Sequence, residues 1–184
     1  LLSYNLGKEG RQTTLRMELE IVKEYIALQQ MRYDFIIEMN IEDGSYLDQP
    51  TVRMLFQPLV ENAIRYGLGD DEKISIQVFE DVARHFAVVT ISDSGKGLNQ
   101  EEIDEINQPF DYENRGIGLR YVKAMLESFY DGQTSLFVNS KKGFGTKITI
   151  LLPVREPEEK KEKDKEVTLE ENKVGQTDER IDCR

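Results

Sequence analysis

The 184-residue sequence contains one cysteine and one histidine, and its 24 lysines and arginines are outnumbered by 35 acidic residues. Each shortage excludes something. A lone Cys183, next to last in the chain, builds no disulfide framework and suits a reducing compartment. A net charge of -11 leaves no basic footprint for nonspecific nucleic-acid binding. Any site for a polyanion must then be made locally, from backbone amides, a metal and a few placed cations. No apolar run approaches the length that spans a bilayer. The opening "LLSYNLGKEG" has neither the basic region nor the apolar stretch of a signal peptide. It also begins at Leu1 without Met, which reads as a piece of a longer protein whose membrane segment, if any, lies elsewhere.

Composition divides the chain into three regions. In residues 1–33, Leu15, Leu19, Val22 and Ile26 recur at helical spacing, and Thr14 stands where a cap belongs. This stripe must bury itself, either on its own domain or in a helical bundle. Residues 34–154 form the globular body. "FIIEMNI", "KISIQVF" and "FAVVTIS" alternate as strands, and "TSLFVNS" and "TKITILLPV" form a hairpin around "KKGFG". Residues 52–66 and "GLRYVKAMLESF" read as helices, with Pro58 kinking or restarting the first. Hairpins outnumber strand–helix–strand units. The expected fold is therefore an α/β two-layer sandwich, a mixed and mainly antiparallel sheet with helices on one face. Residues 155–184 are mostly charged and without aromatics. They cannot bury enough apolar area to offset ordering entropy, so a disordered tail is expected.

Four stretches carry chemistry. In "LFQPLVENAIRYGL", an acid, an amide and a cation interrupt an apolar helix. Asn62, Arg65 and Tyr66 share one helical face. An Asn carbonyl is a hard oxygen suited to Mg²⁺, and Arg65 one turn on could meet a phosphate. In "ISDSGKGL", Asp93 leaves a strand with a carboxylate that can accept from an exocyclic amine such as adenine's. Gly95 and Gly97 behind it permit close approach of backbone to a ligand. In "NRGIGLRYVKAML", Gly116 and Gly118 open a helix whose free amides and positive dipole end suit phosphate. Tyr121 occupies the third glycine position of the dinucleotide fingerprint, and no Gly-Lys-Ser/Thr of a P-loop occurs. In "KGFGTKITI", two glycines and Thr146 precede the last strand. Singly, each is an ordinary turn or polar seam. In this order and spacing they form a far more specific set.

The set "VENAIRYG", "DSGKGL", "GIGLRYV" and "GFGT" resembles the N box and the three glycine boxes of the Bergerat-type ATP-binding domain. Sensor histidine kinases share that domain with gyrase, Hsp90 and MutL. "QPLVENA" and the upstream "LLSYNL…LRMELEIVKEYIALQQMRY" are similar to the YesM/LytS-like sensor kinases, and the resemblance spans about residues 1–154. It implies that residues 1–33 end the dimerisation region and that 34–154 bind ATP. By position, Asn62 would ligate Mg²⁺ and Arg65 would contact phosphate. Tyr66 would lie along the nucleotide, and Asp93 would read adenine in a pocket shaped by Gly95 and Gly97. Residues 98–115 would be the ATP lid, with Phe110 like its aromatic. Gly116 and Gly118 would hold the triphosphate, and Thr146 would close the adenine side.

The resemblance also implies the partners: a second copy in the full-length protein, a response-regulator receiver domain, and a membrane reached only through missing segments. The chain would then be the cytoplasmic part of a membrane receptor. Two departures stand out. Pro58 occupies the place of the gyrase-like catalytic Glu, which speaks against efficient water activation. Glu61, about 100° round the helix from Asn62, either polarises a water or the acceptor imidazole or serves a structural hydrogen bond. The family often has His where Tyr66 stands. The sole histidine, His85, reads as a surface residue, so the phosphoacceptor is expected upstream of this sequence. A conformational ATPase and a noncatalytic adaptor with a degenerate pocket are the competing readings.

Overall fold

The computed structural model describes residues 12–68, 73–108 and 118–155. Phe110, Gly116 and the charged segment from 156 onward lie outside them. A short strand β1 (Gln12–Thr14) leads into α1 (Leu15–Gln30), then β2 (Ile36–Ile41), a 3₁₀ turn over Ser45–Asp48, and β3 (Pro50–Val52). Next come α2 (Gln57–Tyr66), β4 (Lys73–Asp81), β5 (Phe86–Asp93) and α3 (Gln100–Asn107). The series closes with α4 (Gly118–Phe129), β6 (Ser135–Ser140) and β7 (Thr146–Pro153).

Five strands form one sheet in the order β2-β4-β5-β7-β6. β2 runs parallel to β4, and the other pairs are antiparallel. This is the mixed, mainly antiparallel two-layer sandwich that the strand patterns predict.

The register produces clean rows across one face. Met39, Ile76, Ile91, Ile148 and Val138 align in one row, and Ile41, Val78, Val89, Ile150 and Leu136 in the next. The residues of the three central strands in these rows are buried, and α2 and α4 contribute Leu59, Val60, Ala63, Leu119, Val122 and Leu126 to the same core. Alternation with period two puts every second side chain on the helix-covered face. The other face is wetter, with Phe79 and Phe137 exposed.

α1 packs its stripe onto this domain. Leu15, Leu19, Val22 and Ile26 are buried. Thr14 caps the helix, its Oγ1 accepting from the Met17 amide at 3.2 Å. Two further features hold the entry to α1: β1 pairs antiparallel with β3, and the Leu15 amide donates to the Gln49 carbonyl.

The helix expected over 52–66 is shorter. Residues 50–52 pair with β1 instead, Met54 turns the chain with φ of 57°, and the helix begins at Gln57. Pro58 therefore sits in the first turn, where its missing N–H costs nothing. Long-range pairing wins over the helical look of "TVRMLF".

Candidate functional site

The row of inward residues beyond Ile76, Ile91 and Ile148 changes character. It reads Ile74, Asp93, Thr146 and Ser140 across β4, β5, β7 and β6. A carboxylate thus stands in the last core-facing row, between Ile74 on one side and the hydroxyls of Thr146 and Ser140 on the other. Asp93 Oδ1 accepts from the amides of Gly95 and Thr146, both at 3.1 Å. No partner for Oδ2 is found among the described residues. Burial pushes the Asp93 carboxyl above its ordinary value, and the Gly95 and Thr146 amides offset part of this. Thr146 and Ser140 hydroxyls are 2.9 Å apart, and Ser140 Oγ also takes the Leu98 amide at 2.8 Å. The end of the sheet is therefore tied to the first residue of the expected lid.

Asp93 borders a cavity of about 260 Å³. α2 lines one wall with Leu59, Asn62, Ala63 and Tyr66; Ile91 and Ile148 make the floor, and Leu98, Ile106 and Leu119 close the remaining sides. Mostly apolar walls with a few convergent polar groups are what a planar base with a polar edge needs.

Close packing holds the two ends of this cavity. At one end a Cβ on Gly67 would lie 2.5 Å from Asp93 Cγ, and a Cβ on Gly95 would lie 2.4 Å from Gly67 Cα. At the other end a Cβ on Gly118 would lie 2.6 Å from Asn62 Nδ2. The bare backbone at the start of α4 is what leaves room for the Asn62 carboxamide.

Asn62, Tyr66, Asp93, Gly97 and Thr146 all line this cavity, and Gly95 and Gly118 pack directly behind it. Arg65 and Glu61 are not among its lining residues. Arg65 is exposed, with its guanidinium 5.9 Å from the Tyr66 ring centre. The Glu61 carboxylate accepts from Gln57 Nε2 at 2.9 Å, one turn back on α2. His85 is exposed in the turn before β5. Asp93 ends that strand, which puts the imidazole roughly 25 Å from the cavity at the rise of a β-strand.

Three contributions escaped the sequence reading. Lys96 lines the cavity, its Nζ 5.0 Å from the Tyr66 ring centre, although it lies inside the quoted "DSGKG". Gly67 immediately follows the N-box helix and was available to the same reading. α3 brings Ile106 to the cavity, and it begins at a full capping box in which Asn99 and Glu102 exchange bonds. "NQEE" at the start of the lid carried that signal.

Among the described residues no cluster of three or more His, Cys, Asp or Glu could cage a metal. A lone carboxamide oxygen at Asn62 fits a Mg²⁺ that keeps its waters and draws its other ligands from phosphates.

Known proteins resemble this chain in sequence and in fold. The chain is 30% identical over 160 residues to the sensor protein kinase HptS of Staphylococcus aureus, an alignment covering 84% of this chain and 30% of that protein. It thus spans about a third of the length of these relatives. Among solved structures, the Acinetobacter baumannii histidine kinase AdeS superposes with a TM-score of 0.58 at 18% identity, covering 79% of this chain and 67% of that one. The histidine kinase domain of the Erythrobacter litoralis blue-light activated histidine kinase gives 0.53 at 17% identity, covering 77% and 61%. Both share the fold. Residues 47–156 match the family described as histidine kinase-, DNA gyrase B- and HSP90-like ATPases. The chain belongs to this ATPase family.

Proposed function

We propose that this chain is the ATP-binding catalytic part of a two-component sensor histidine kinase of the YesM/LytS-like kind. The observation that carries this reading is the Asp93 carboxylate, fixed through one oxygen by two backbone amides at the end of an apolar cavity that Asn62 enters from α2. Asp93 Oδ2 accepts from the adenine amine. Tyr66, Leu98 and Ile106 flank the base and exclude water, with Thr146 on the adenine side. Gly95 and Gly97 let the backbone approach it.

The triphosphate then runs toward Asn62 and the start of α4, where Gly118 offers backbone; the family resemblance assigns Gly116 to the triphosphate and Phe110 to the lid, and both lie outside the described residues. Asn62 Oδ1 would hold Mg²⁺, which would supply charge screening at the phosphates. Phosphoryl transfer asks the protein mainly to position and to neutralise. Arg65, on the face of α2 that carries Asn62, reaches phosphate by a rotamer change.

The acceptor is an imidazole nitrogen on a dimerisation segment outside this sequence. That nitrogen bonds to the γ-phosphorus as the bond to the ADP oxygen breaks. The phosphoryl group then passes to an aspartate of a response-regulator receiver domain. In the whole protein the kinase is a homodimer, and this chain is the cytoplasmic part of a membrane receptor. No helix among the described residues is long and apolar enough to cross a membrane. Pro58, where a gyrase-like enzyme carries its catalytic Glu, favours transfer to a protein acceptor over hydrolysis.

Calorimetric titration with ATP, ADP and GTP, each with and without Mg²⁺, tests this. Adenine-selective binding strengthened by Mg²⁺ is expected, and Asn62→Ala is expected to abolish the Mg²⁺ dependence. No heat and no thermal shift with any nucleotide would overturn the reading and favour a protein-docking role.

A further inference from the structure

Glu18 is a buried acid for which the cavity has no use. It is 2% exposed, on the face of α1 that packs into the domain. Its Oε1 accepts from the Met54 amide at 3.1 Å and its Oε2 from the Leu55 amide at 2.9 Å. Burial raises the Glu18 carboxyl above its ordinary value, and the Leu55, Met54 and Phe56 amides and the charge of Arg53 offset part of this. These amides belong to the segment that turns into α2. α2 has no side-chain cap of its own, since Phe56 stands at the cap position. A carboxylate from another helix therefore takes up the amides of Met54 and Leu55, the two residues before that cap position.

The backbone conforms to that arrangement. Met54 takes a φ of 57°, a left-handed conformation that a non-glycine residue adopts at a cost. α1 is in turn fastened to the segment leading into this turn. Arg16 bonds Asp48 through Nε at 2.8 Å and Asp43 through Nη1 at 3.0 Å, and β1 pairs with β3. At its other end α2 stops at Gly67, packed against Asp93. α2 is thus held between two carboxylates, Glu18 at its start and Asp93 at its finish. Asn62 lies between them, roughly 10 Å along the axis from the Leu55 amide at helical rise. Its carboxamide sits so close to Gly118 that a single Cβ there would collide with it.

We propose that Glu18 is a positioning residue for the phosphate end of the site. By holding the entry of α2 it sets the axial position of Asn62, and it makes α1 a determinant of metal-dependent nucleotide binding. Asp93, held by the Gly95 and Thr146 amides, governs the base end. This rests on the nucleotide-site reading above.

The test separates the two ends of the ligand. Adenosine, ATP and ATP with Mg²⁺ are titrated calorimetrically into the parent chain and into Glu18→Gln, with folding checked by circular dichroism. The Gln side chain keeps the shape but offers one acceptor oxygen where the carboxylate offers two. Adenosine affinity is expected to stay within about twofold, while the gain from Mg²⁺ falls about tenfold. Glu18→Asp, which keeps the charge and shortens the reach, carries the same comparison if Glu18→Gln does not fold. An unchanged Mg²⁺ gain overturns the proposal, as does an equal loss for adenosine, which would mean general loosening. A parent chain that binds no nucleotide overturns the site reading itself, and this proposal with it.

Discussion

Replacing Gly67 by alanine isolates steric pressure on the base end of the cavity. Gly67 has φ of -101° and ψ of -1°, ordinary right-handed values that alanine accepts without strain. Only space is at issue. The new Cβ would lie 2.5 Å from Asp93 Cγ, 2.6 Å from Asp93 Cβ and 2.6 Å from the Ala63 carbonyl oxygen. Carbon atoms settle at about 3.5–4 Å, so the Asp93 side chain must retreat by roughly 1 Å. Two bonds of 3.1 Å from Gly95 and Thr146 would then stretch beyond hydrogen-bonding range. The bond to the adenine amine would go with them. A hydrogen bond to a charged group contributes about 1.5–3 kcal/mol, which converts to roughly a 10- to 150-fold loss of ATP and adenosine affinity. Gly132→Ala, in the turn after α4 and away from the cavity, is the matched control. Its φ of 76° makes alanine strained, but nothing lies within 4 Å of the added Cβ. It should cost about 1–2 kcal/mol of stability and leave nucleotide affinity unchanged. Titration calorimetry and urea unfolding of both variants decide the matter. Gly67→Ala binding within threefold of the parent, or an equal affinity loss in Gly132→Ala, would refute the packing argument.

Two further outcomes are expected. The Asp93 carboxyl is raised above 3.8, chiefly by burial, so the folded state holds its proton more tightly than the unfolded chain does. Stability linked to this group is therefore full below the unfolded value and falls as pH rises through the raised folded value. Asp93→Asn removes that fall. Its stability relative to the parent should climb with pH across this window in urea unfolding, while adenine binding is lost; a flat difference would count against the burial. Thr14→Ala removes the cap on Met17 and should cost about 1 kcal/mol in the same assay, and no change would mean that the β1–β3 pairing alone holds the start of α1.

Local chemistry was legible in the sequence wherever neighbours in the chain are also neighbours in space. Asp93 at a strand end and the glycines after it were readable because strand alternation and turn composition act over a few residues. So was the Thr14 cap, which spans three. What the sequence hid depends on distant partners. The end of β3 looks like the start of a helix because the apolar Val52, Leu55 and Phe56 fall at helical spacing. What makes it a strand is β1, nearly forty residues earlier. Glu18 reads as an ordinary polar position in an amphipathic helix until Met54 and Leu55 come round to meet it. Arg65 and Glu61 show the converse limit. Helical spacing gives a residue's face, but not whether its side chain enters the cavity or bonds along the helix. The expected roles of Phe110 and Gly116 fall outside the described residues.

The order of strands in the sheet also bears on how the chain is made. β7 sits between β5 and β6, yet it is the last strand of this sheet to be synthesised. Until it arrives, β5 has a partner on one side only and offers an open edge bearing Ala87, Val88, Val89 and Ile91, residues that end up buried. β6 has no partner at all before that moment. An open apolar edge is a template for pairing with another chain. A polypeptide stopped before Thr146 is therefore an aggregation hazard. It also lacks the amide that steadies Asp93. The same insertion that seals the sheet completes the carboxylate's setting, so a nascent chain gains its grip on the base only when its vulnerable edge closes.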